Sequence, residues 1–189
     1  TADDITLSDA DTPTITLTDT TNTLTTVLQS GNSTAVLGTT TNHDLRLFAN
    51  NTEHMRISTE GYITTPSQPA FVAHTVSTST LAHDAEPIFS STFTNRGNIY
   101  NTSNGRFTAP VAGLYALGIH IRIHNSTPAL TYHRVSFKKN GSTLGYTRGR
   151  LHGRSSGDYS YVANNLIIEL AVNDYITPFV EASGSTTLN

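Results

Sequence analysis

The chain has 189 residues, a hydrophobic fraction of 36%, a formal net charge of −3 at pH 7 and no cysteine. This length allows one or two domains, and the absence of cysteine excludes a disulfide framework and a thiolate metal site. No apolar run approaches the roughly 18 residues that cross a bilayer, so we expect no membrane insertion.

The first 65 residues are rich in threonine and poor in aromatic residues. Nineteen of them are Thr, and Phe48 and Tyr62 are the only aromatic residues before Pro66. A segment of this composition cannot bury enough surface by itself to offset the entropy of its chain. We therefore expect it to need partners or to remain disordered.

A short repeat also marks this segment, because Ile5-Thr-Leu-Ser-Asp9 returns as Ile15-Thr-Leu-Thr-Asp19. Looser apolar alternations follow, separated by turn-forming residues. This spacing predicts strands of about four to six residues that are not stable in isolation. The alternations are Val27-Leu28, Val36-Leu37, Leu45-Arg-Leu-Phe48 and Met55-Arg-Ile57, and the turn formers are Gly31, Gly38, Asn50-Asn51 and Gly61.

Residues 45–63 combine an apolar strand, an Asn-rich turn, a Met-Arg-Ile strand and a Gly turn. This order resembles a recurrent shaft segment of bacteriophage tail fibres and related virion appendages. The resemblance implies a repetitive β fibre shaft over residues 1–65. The alternative is a disordered Thr-rich linker.

The next predicted element is a hairpin within residues 95–115. Asn104-Gly105 predicts a two-residue turn between strands at residues 98–100 and 106–108, and Pro110 ends the second strand because proline cannot donate to a ladder. Beyond Gly113, apolar residues recur at every second position, which predicts one long strand with one buried face. These residues are Tyr115, Leu117, Ile119, Ile121 and Ile123.

The hairpin region resembles the C1q/TNF-like jelly-roll family, whose pattern runs Asn-x-Gly-x-x-Tyr, Gly-x-Phe-x-x-Pro, then Gly-x-Tyr. Residues 135–141, with their Lys-Asn-Gly turn, and residues 165–176 extend the resemblance, although Asn173 replaces the usual Gly. The resemblance covers residues 69–182 and implies an all-β, antiparallel jelly-roll head over residues 66–189. Because residues 183–189 lack the family's aromatic-Gly-aromatic strand, we expect the last strand to be missing or rebuilt.

Both resemblances imply threefold assembly, since C1q/TNF-like heads and interwound fibre shafts are commonly trimeric. We therefore expect a homotrimer, in which each shaft strand buries its apolar face against two copies of itself.

Charge is arranged in blocks along the chain. Residues 1–86 carry ten acidic and two basic side chains, whereas residues 87–157 carry nine basic and no acidic ones. The glycine-rich residues 145–157 predict an exposed loop, and Arg forks suit phosphate or carboxylate groups, so an anionic glycan or lipopolysaccharide is the expected ligand. The alternative is that these charges neutralise acidic neighbours across subunits. The candidate ligand-binding residues are Arg148, Arg150, His152 and Arg154.

The acidic first block and the absence of a recognised nucleic-acid-binding module argue against a nucleic-acid partner.

His120-Ile-Arg-Ile-His124 places two imidazoles on one strand face, but Arg122 between them would repel a cation. Asp84 and Glu86 make no oxygen-rich calcium loop. We therefore predict no metal and no cofactor.

Catalytic patterns are weak. Residues 153–157 match the nucleophile pattern Gly-x-Ser-x-Gly, but that chemistry needs a helix after the serine, and no helix is predicted there. The carboxylates that could supply a glycosidase pair lack a carbohydrate-cleft signature, so we predict that the protein is not an enzyme. These carboxylates are Asp158, Glu169, Asp174 and Glu181.

We predict a virion fibre protein, a tail or capsid appendage, with a trimeric head that recognises the host surface through multivalent contacts. We expect assembly in the host cytoplasm, display on the particle surface and contacts to other virion proteins on the N-terminal side. The competing hypotheses are a purely structural trimerisation cap or decoration protein and a polysaccharide depolymerase.

Overall fold

The computed structural model describes residues 7–31, 33–75, 79–81, 84–124, 132–145, 149–152, 159–182 and 186–188. Every helix or strand assigned in these residues is a β-strand, so the all-β prediction is confirmed. The chain divides into two compact units, Thr1–Gln68 and Pro69–Asn189.

The first unit consists of two antiparallel three-stranded sheets in which consecutive strands pair, β1-β2-β3 and β4-β5-β6. The predicted apolar alternations lie in these strands. Gly31 ends β2 and pairs with Thr34 at the start of β3, so it lies beside a chain reversal as predicted, whereas Gly38 pairs with Val27 inside the ladder and does not form a turn. The strands are β1 (Thr14–Asp19), β2 (Leu24–Gly31), β3 (Thr34–Thr39), β4 (Leu45–Ala49), β5 (Thr52–Ile57) and β6 (Ile63–Thr64).

The predicted Asn-rich turn joins β4 to β5. Asn50 and Asn51 have φ angles of 46° and 55°. Ala49 pairs with Thr52 across them, which gives a two-residue hairpin turn of the primed type. The predicted glycine turn is also present, since Gly61 has a φ of 86° and its N–H donates to the Ser58 carbonyl at 2.9 Å.

The first unit exposes most of its apolar side chains. Leu17, Leu28 and Leu37 are 67%, 52% and 56% exposed. Of the residues described in this unit, Val27 alone is buried. The described part of this segment therefore buries little apolar surface by itself, and six strands lie between residues 14 and 64. Its role as a fibre shaft stays a prediction.

The second unit contains two main antiparallel sheets, one ordered β10-β11-β17-β13-β14 with β15 also paired to β13, the other ordered β16-β12-β18-β8. β7 pairs with β9. The strands are β7 (Ala70–His74), β8 (Ser79–Leu81), β9 (Ser91–Arg96), β10 (Tyr100–Asn101), β11 (Arg106–Thr108), β12 (Gly113–His124), β13 (Tyr132–Lys139), β14 (Ser142–Thr143), β15 (Gly149–His152), β16 (Tyr159–Leu170), β17 (Tyr175–Ala182) and β18 (Thr186–Leu188).

The core of the second unit forms between these two sheets. The predicted ladder of β12 is confirmed, because Ile119 and Ile121 are buried and Tyr115 and Leu117 are half-buried, while the residues between them are exposed. The side chain of Ile123 lies outside the described part. Three aromatic rings extend the core, with Phe107 centred 5.4 Å from Phe71 and 5.3 Å from Tyr115.

The hairpin between β10 and β11 corrects the predicted two-residue turn. Asn101 pairs with Arg106, so the connection has four residues, and in it Gly105 has a φ of 69° while Asn104 is not left-handed. The side chain of Asn101 accepts from Ser103 N–H at 2.8 Å, and that of Asn104 accepts from Arg106 N–H at 3.2 Å. These two bonds stabilise the longer loop.

Two later turns form as the resemblance implied. Asn140 and Gly141, with φ angles of 51° and 83°, make the tight turn between β13 and β14. In the turn between β16 and β17, Asn173 has a φ of 68°. Asn is among the few residues that tolerate this left-handed conformation, which explains how it replaces the expected Gly.

Asp174 links these two turns. Its carboxylate accepts from Lys139 Nζ at 2.8 Å, from Asn140 Nδ2 at 2.7 Å and from the Ala171 N–H at 2.9 Å. These donors, led by Lys139, lower the pKa of Asp174 from 3.8 to about 2. The carboxylate therefore stabilises the fold only while it is ionised.

Changing Asp174 to Asn should destabilise the protein in a pH-dependent way. Because the pKa in the folded state is depressed, the stabilisation is complete above about pH 5 and declines as the pH falls from 3.8 through about 2. Urea unfolding of both proteins from pH 6 to pH 2 should show a difference that shrinks toward zero at the acid end. A difference that is the same at every pH would contradict this role.

The last described strand, β18, lies between β12 and β8. Its residues pair with β12 at two positions, Ile123 with Leu188 and His124 with Thr187, and with β8 on the other side.

Candidate functional site

The most distinctive charged feature of the second unit is the Tyr132 cluster, formed by Tyr132, Arg134 and Arg150. Arg134 Cζ lies 4.4 Å and Arg150 Cζ 5.7 Å from the centre of the Tyr132 ring. Arg134 and Arg150 face each other directly in the register of β13 and β15. Directly opposed like charges are unfavourable in a sheet, and the cation–π contacts with the shared ring offset part of this cost.

One acidic residue already lies next to this cluster. β17 pairs with the other edge of β13, and there Glu181 lies opposite Arg134. One carboxylate cannot balance two guanidinium groups, so these residues together keep a net positive charge. Arg150 is exposed, whereas Tyr132 and Arg134 are half-buried. This arrangement can accept an anionic group from solvent through the planar donors of arginine.

The structure partly relocates the four predicted ligand-binding residues. Arg150 and His152 lie in β15, so these positions belong to a strand and not to the predicted loop. The reason is that β13 has an edge that β15 covers, with His133 pairing with Leu151 and Tyr132 with His152. Arg148 and Arg154 lie outside the described residues. Whether any of the four binds a ligand stays a prediction.

The sequence reasoning missed Tyr132 and Arg134. Both alternate with the buried His133 on one strand, and this alternation was the available signal that they share a face. Their partnership with Arg150 depends on the register between β13 and β15, which the sequence alone does not determine.

Two lysines of the head are neutralised within the chain. Lys138 Nζ lies 2.6 Å from Glu86 Oε1, and Lys139 forms the ion pair with Asp174 already described. Burial is the largest single influence on the Glu86 carboxyl and disfavours its charged form, but hydrogen bonds and positive neighbours, led by Lys138, together outweigh burial and lower its pKa. The acidic partners of these two lysines belong to the same chain. The sequence had suggested, as an alternative to ligand binding, that residues 87–157 are neutralised by acidic residues of neighbouring subunits.

A second feature is the β12–β16 face, made of the outward side chains of these two strands. Ile167 is 76%, Leu114 75% and Tyr161 55% exposed, and all three lie on the same side of this strand pair. Small residues lie between the apolar ends, where Gly118 pairs with Asn165 and His120 with Ala163. A continuous exposed face with large apolar side chains is typical of an interaction surface.

The histidine strand lies on this same face. The His120 ring is centred 5.9 Å from the Tyr161 ring, and Arg122 Cζ lies 4.8 Å from the Tyr159 ring centre. In the residues that the structure describes, no group of three or more His, Asp or Glu side chains could hold a metal ion. The same part of the chain contains no helix long and apolar enough to span a membrane.

The weak catalytic patterns gain little from the described geometry. The Gly-x-Ser-x-Gly match at residues 153–157 and Asp158 lie outside the described residues. Asp174 is held as a carboxylate by Lys139, and a pKa of about 2 is the opposite of what a general acid needs.

Comparison with known proteins agrees with this architecture. The globular domain of zebrafish complement 1qA protein is 15% identical over 64% of this chain and 93% of that chain, with a TM-score of 0.50. Eiger TNF from S. frugiperda is 12% identical over 62% of this chain and 80% of that chain, with a TM-score of 0.47. Murine APRIL is 16% identical over 62% of this chain and 94% of that chain, with a TM-score of 0.42. The likeness to the zebrafish domain shows that the two sheets form a C1q/TNF-like jelly roll.

A family model described as the C1q domain matches residues 70–185, which is more than half of the chain and nearly all of the second unit. The residues that suggested this family, from the hairpin at residues 98–108 to the Asn173 turn, all lie inside the matched segment. The chain therefore belongs to the C1q domain family.

Proposed function

We propose that this chain is the subunit of a homotrimeric, non-enzymatic fibre protein whose C1q-like head binds an anionic surface. The first unit is the shaft, and the head presents three copies of the Tyr132 cluster. Three weak contacts to a repetitive surface reinforce one another by avidity. The observation that carries the proposal is the large apolar surface that one chain leaves exposed.

The need for assembly is supported by both units. In the first unit, Leu17, Leu28 and Leu37 are more than half exposed, and in the second, Leu114 and Ile167 are about three-quarters exposed. Each large apolar side chain gains about 1.5–3 kcal/mol on burial. Within the described part of one chain these side chains stay largely in solvent, so association with identical chains is the simplest arrangement that buries them.

Binding of an anion is supported by the opposed guanidinium groups of Arg134 and Arg150. A phosphate or carboxylate between them would relieve their repulsion and accept several hydrogen bonds at once. The ligand class that fits is an anionic glycan or a lipopolysaccharide.

A virion appendage best accounts for both the assembly of identical chains and the binding of an anionic surface. The strand and turn order of residues 45–63, now seen as β4, the Asn50-Asn51 turn and β5, is the order that resembles phage fibre shafts. In this setting the N-terminal side contacts other virion proteins, and the head is displayed on the particle surface after assembly in the host cytoplasm.

Changing Arg150 to Ala should weaken binding to lipopolysaccharide vesicles or an anionic glycan array at least tenfold. The change removes one of two opposed positive groups on an exposed strand, so the fold should remain intact. Arg106→Ala is the matched control, because Arg106 is also exposed and stacks on an aromatic ring, Tyr175, at 4.1 Å, but lies on another strand.

The two variants separate recognition from general charge attraction. We expect Arg106→Ala to change binding less than twofold. Unchanged binding by Arg150→Ala, or equal loss in both variants, would overturn the binding role of the Tyr132 cluster. If the wild-type protein binds no anionic surface at all, the exposed apolar faces would instead support the structural role of a trimerisation cap.

A further inference from the structure

His133 is a histidine buried in the core of the second unit. It lies in β13 with its side chain 0% exposed, and its two neighbours, Tyr132 and Arg134, belong to the other face of the strand. Burial lowers the pKa of the His133 imidazole, so the ring is neutral at pH 7. Histidine is the side chain whose charge changes most readily near neutral pH, so this core contains a group that acid can ionise.

Two strands flank His133, and their charged side chains are mostly positive. Arg134 follows His133 on β13 and lies opposite Arg150 of β15. His152, two residues further along β15, adds another positive charge when it is protonated. Glu181 is the only acid on β15 and β17, and it already lies opposite Arg134. A proton on His133 would therefore enter a region with an excess of positive charge, which disfavours the charged ring.

The opposite sheet adds no compensating charge. β16 packs across this part of β13, where the side-chain amide of Asn164 donates to the Val135 carbonyl at 3.2 Å. The inward residues of β16 between positions 162 and 170, and those of β12 between positions 117 and 121, include no titratable side chain. A protonated His133 is therefore much less stable in the closed core than in water.

β15 is the element whose release uncovers His133 at the lowest cost. It has four residues, all paired with β13, and one of these pairs joins Leu151 to His133. In the described part of the chain, β15 pairs with no other strand. β17, by contrast, pairs with β13 at seven positions. Detaching a short edge strand breaks few contacts, so it is a local opening that leaves the rest of the head folded.

We propose that His133 is a pH-sensitive latch, whose protonation releases β15 from β13 and thereby disassembles the Tyr132 cluster. The cluster depends on this strand pair, because Arg150 comes from β15 and Tyr132 and Arg134 come from β13. The release of β15 is inferred from the head alone, whereas its effect on ligand binding rests on the proposed function.

The direction of the pH effect follows from the two states of the latch. The closed state has a depressed His133 pKa, whereas the open state has the ordinary value of 6.5. The closed state is therefore fully favoured above about pH 6.5 and loses this advantage as the pH falls from 6.5 through the depressed value. One proton taken up at a pKa of 6.5 raises the open population by at most about thirtyfold between pH 7.5 and pH 5.0.

Hydrogen exchange of the full chain at pH 7.5 and pH 5.0, corrected for the intrinsic effect of pH, tests the latch directly. We expect the amides that pair β13 with β15 to open at least tenfold more at pH 5.0, and the amides of residues 115–121 less than twofold more. His133→Gln keeps a polar side chain but cannot ionise, so its increase should fall below threefold. His120→Gln, at an exposed histidine of β12, should keep the wild-type increase.

The wild-type ring gives a second measurement that does not need a variant. The carbon-13 NMR signal of the His133 Cε1 atom should titrate with a midpoint below pH 6.5. A midpoint at or above pH 6.5 would overturn the latch. Exchange of β15 that is independent of pH, an equal increase in all amides of the head, or the wild-type increase in His133→Gln would also overturn it.

Lipopolysaccharide vesicles test the coupling between the latch and binding. Because only the closed state has the assembled cluster, vesicles at ten times the half-saturating concentration should slow exchange of the β15 amides about tenfold at pH 5.0. Binding that leaves this exchange unchanged would overturn the coupling. If the wild type binds no vesicles even at pH 7.5, the proposed anion binding fails, and the exchange data without vesicles still decide whether the latch exists.

Discussion

We expect Ile167→Asp to dissociate the proposed trimer into single chains at micromolar concentration. Ile167 is 76% exposed in one chain and lies on the β12–β16 face beside Ala116 and near Leu114. If this face is buried between subunits, each copy loses about 1.5–3 kcal/mol of apolar burial and gains an unpaired carboxylate in an apolar interface. Sedimentation velocity measures the change directly.

Val172→Asp is the control for this experiment. Val172 is 56% exposed, so the change introduces the same charge at a similarly accessible aliphatic position outside the β12–β16 face. We expect this variant to sediment like the wild type. If Ile167→Asp also sediments like the wild type, the β12–β16 face is not the interface and the exposed residues there need another explanation.

Replacing Phe107 by Ala will lower the free energy of unfolding by about 3–5 kcal/mol. Phe107 is 3% exposed and lies between Phe71 and Tyr115 in the core, so its removal leaves a cavity in contact with both main sheets. A loss of this size is a large share of the stability of a typical domain. Denaturant unfolding followed by aromatic fluorescence measures it.

Phe93→Ala supplies the contrast, because Phe93 is 77% exposed and its described ring contact is a stack on His74 at 4.0 Å. We expect this change to cost less than about 1 kcal/mol. Similar losses for the two variants would mean that the aromatic core described around Phe107 does not dominate the stability of the head.

The sequence was sufficient where local chemistry determines structure. Alternation predicted β12 because every second residue must face the core, and the Asn140-Gly141 pair predicted its turn because both residues tolerate positive φ. The loop from residue 102 to 105 was predicted too short, because the side chains of Asn101 and Asn104 accept backbone hydrogen bonds that stabilise a longer loop, and the dipeptide Asn-Gly does not reveal them.

The candidate site was less predictable, because it depends on pairing between distant strands. Residues 145–157 have a glycine-rich composition typical of loops, yet Gly149–His152 forms a strand once the edge of β13 is available. The partnership of Arg150 with Tyr132 and Arg134 follows from that register alone.

The proposed fibre protein depends on association of three identical chains. In that trimer, the apolar surfaces that both units expose in one chain are buried between the chains. The mass of the full chain in solution, measured by light scattering after size-exclusion chromatography, tests this burial most directly. A trimer of the 20.3 kDa chain should give a mass of about 61 kDa that persists on dilution to the micromolar range. A stable, compact species of 20.3 kDa would contradict trimeric assembly and the fibre role that depends on it.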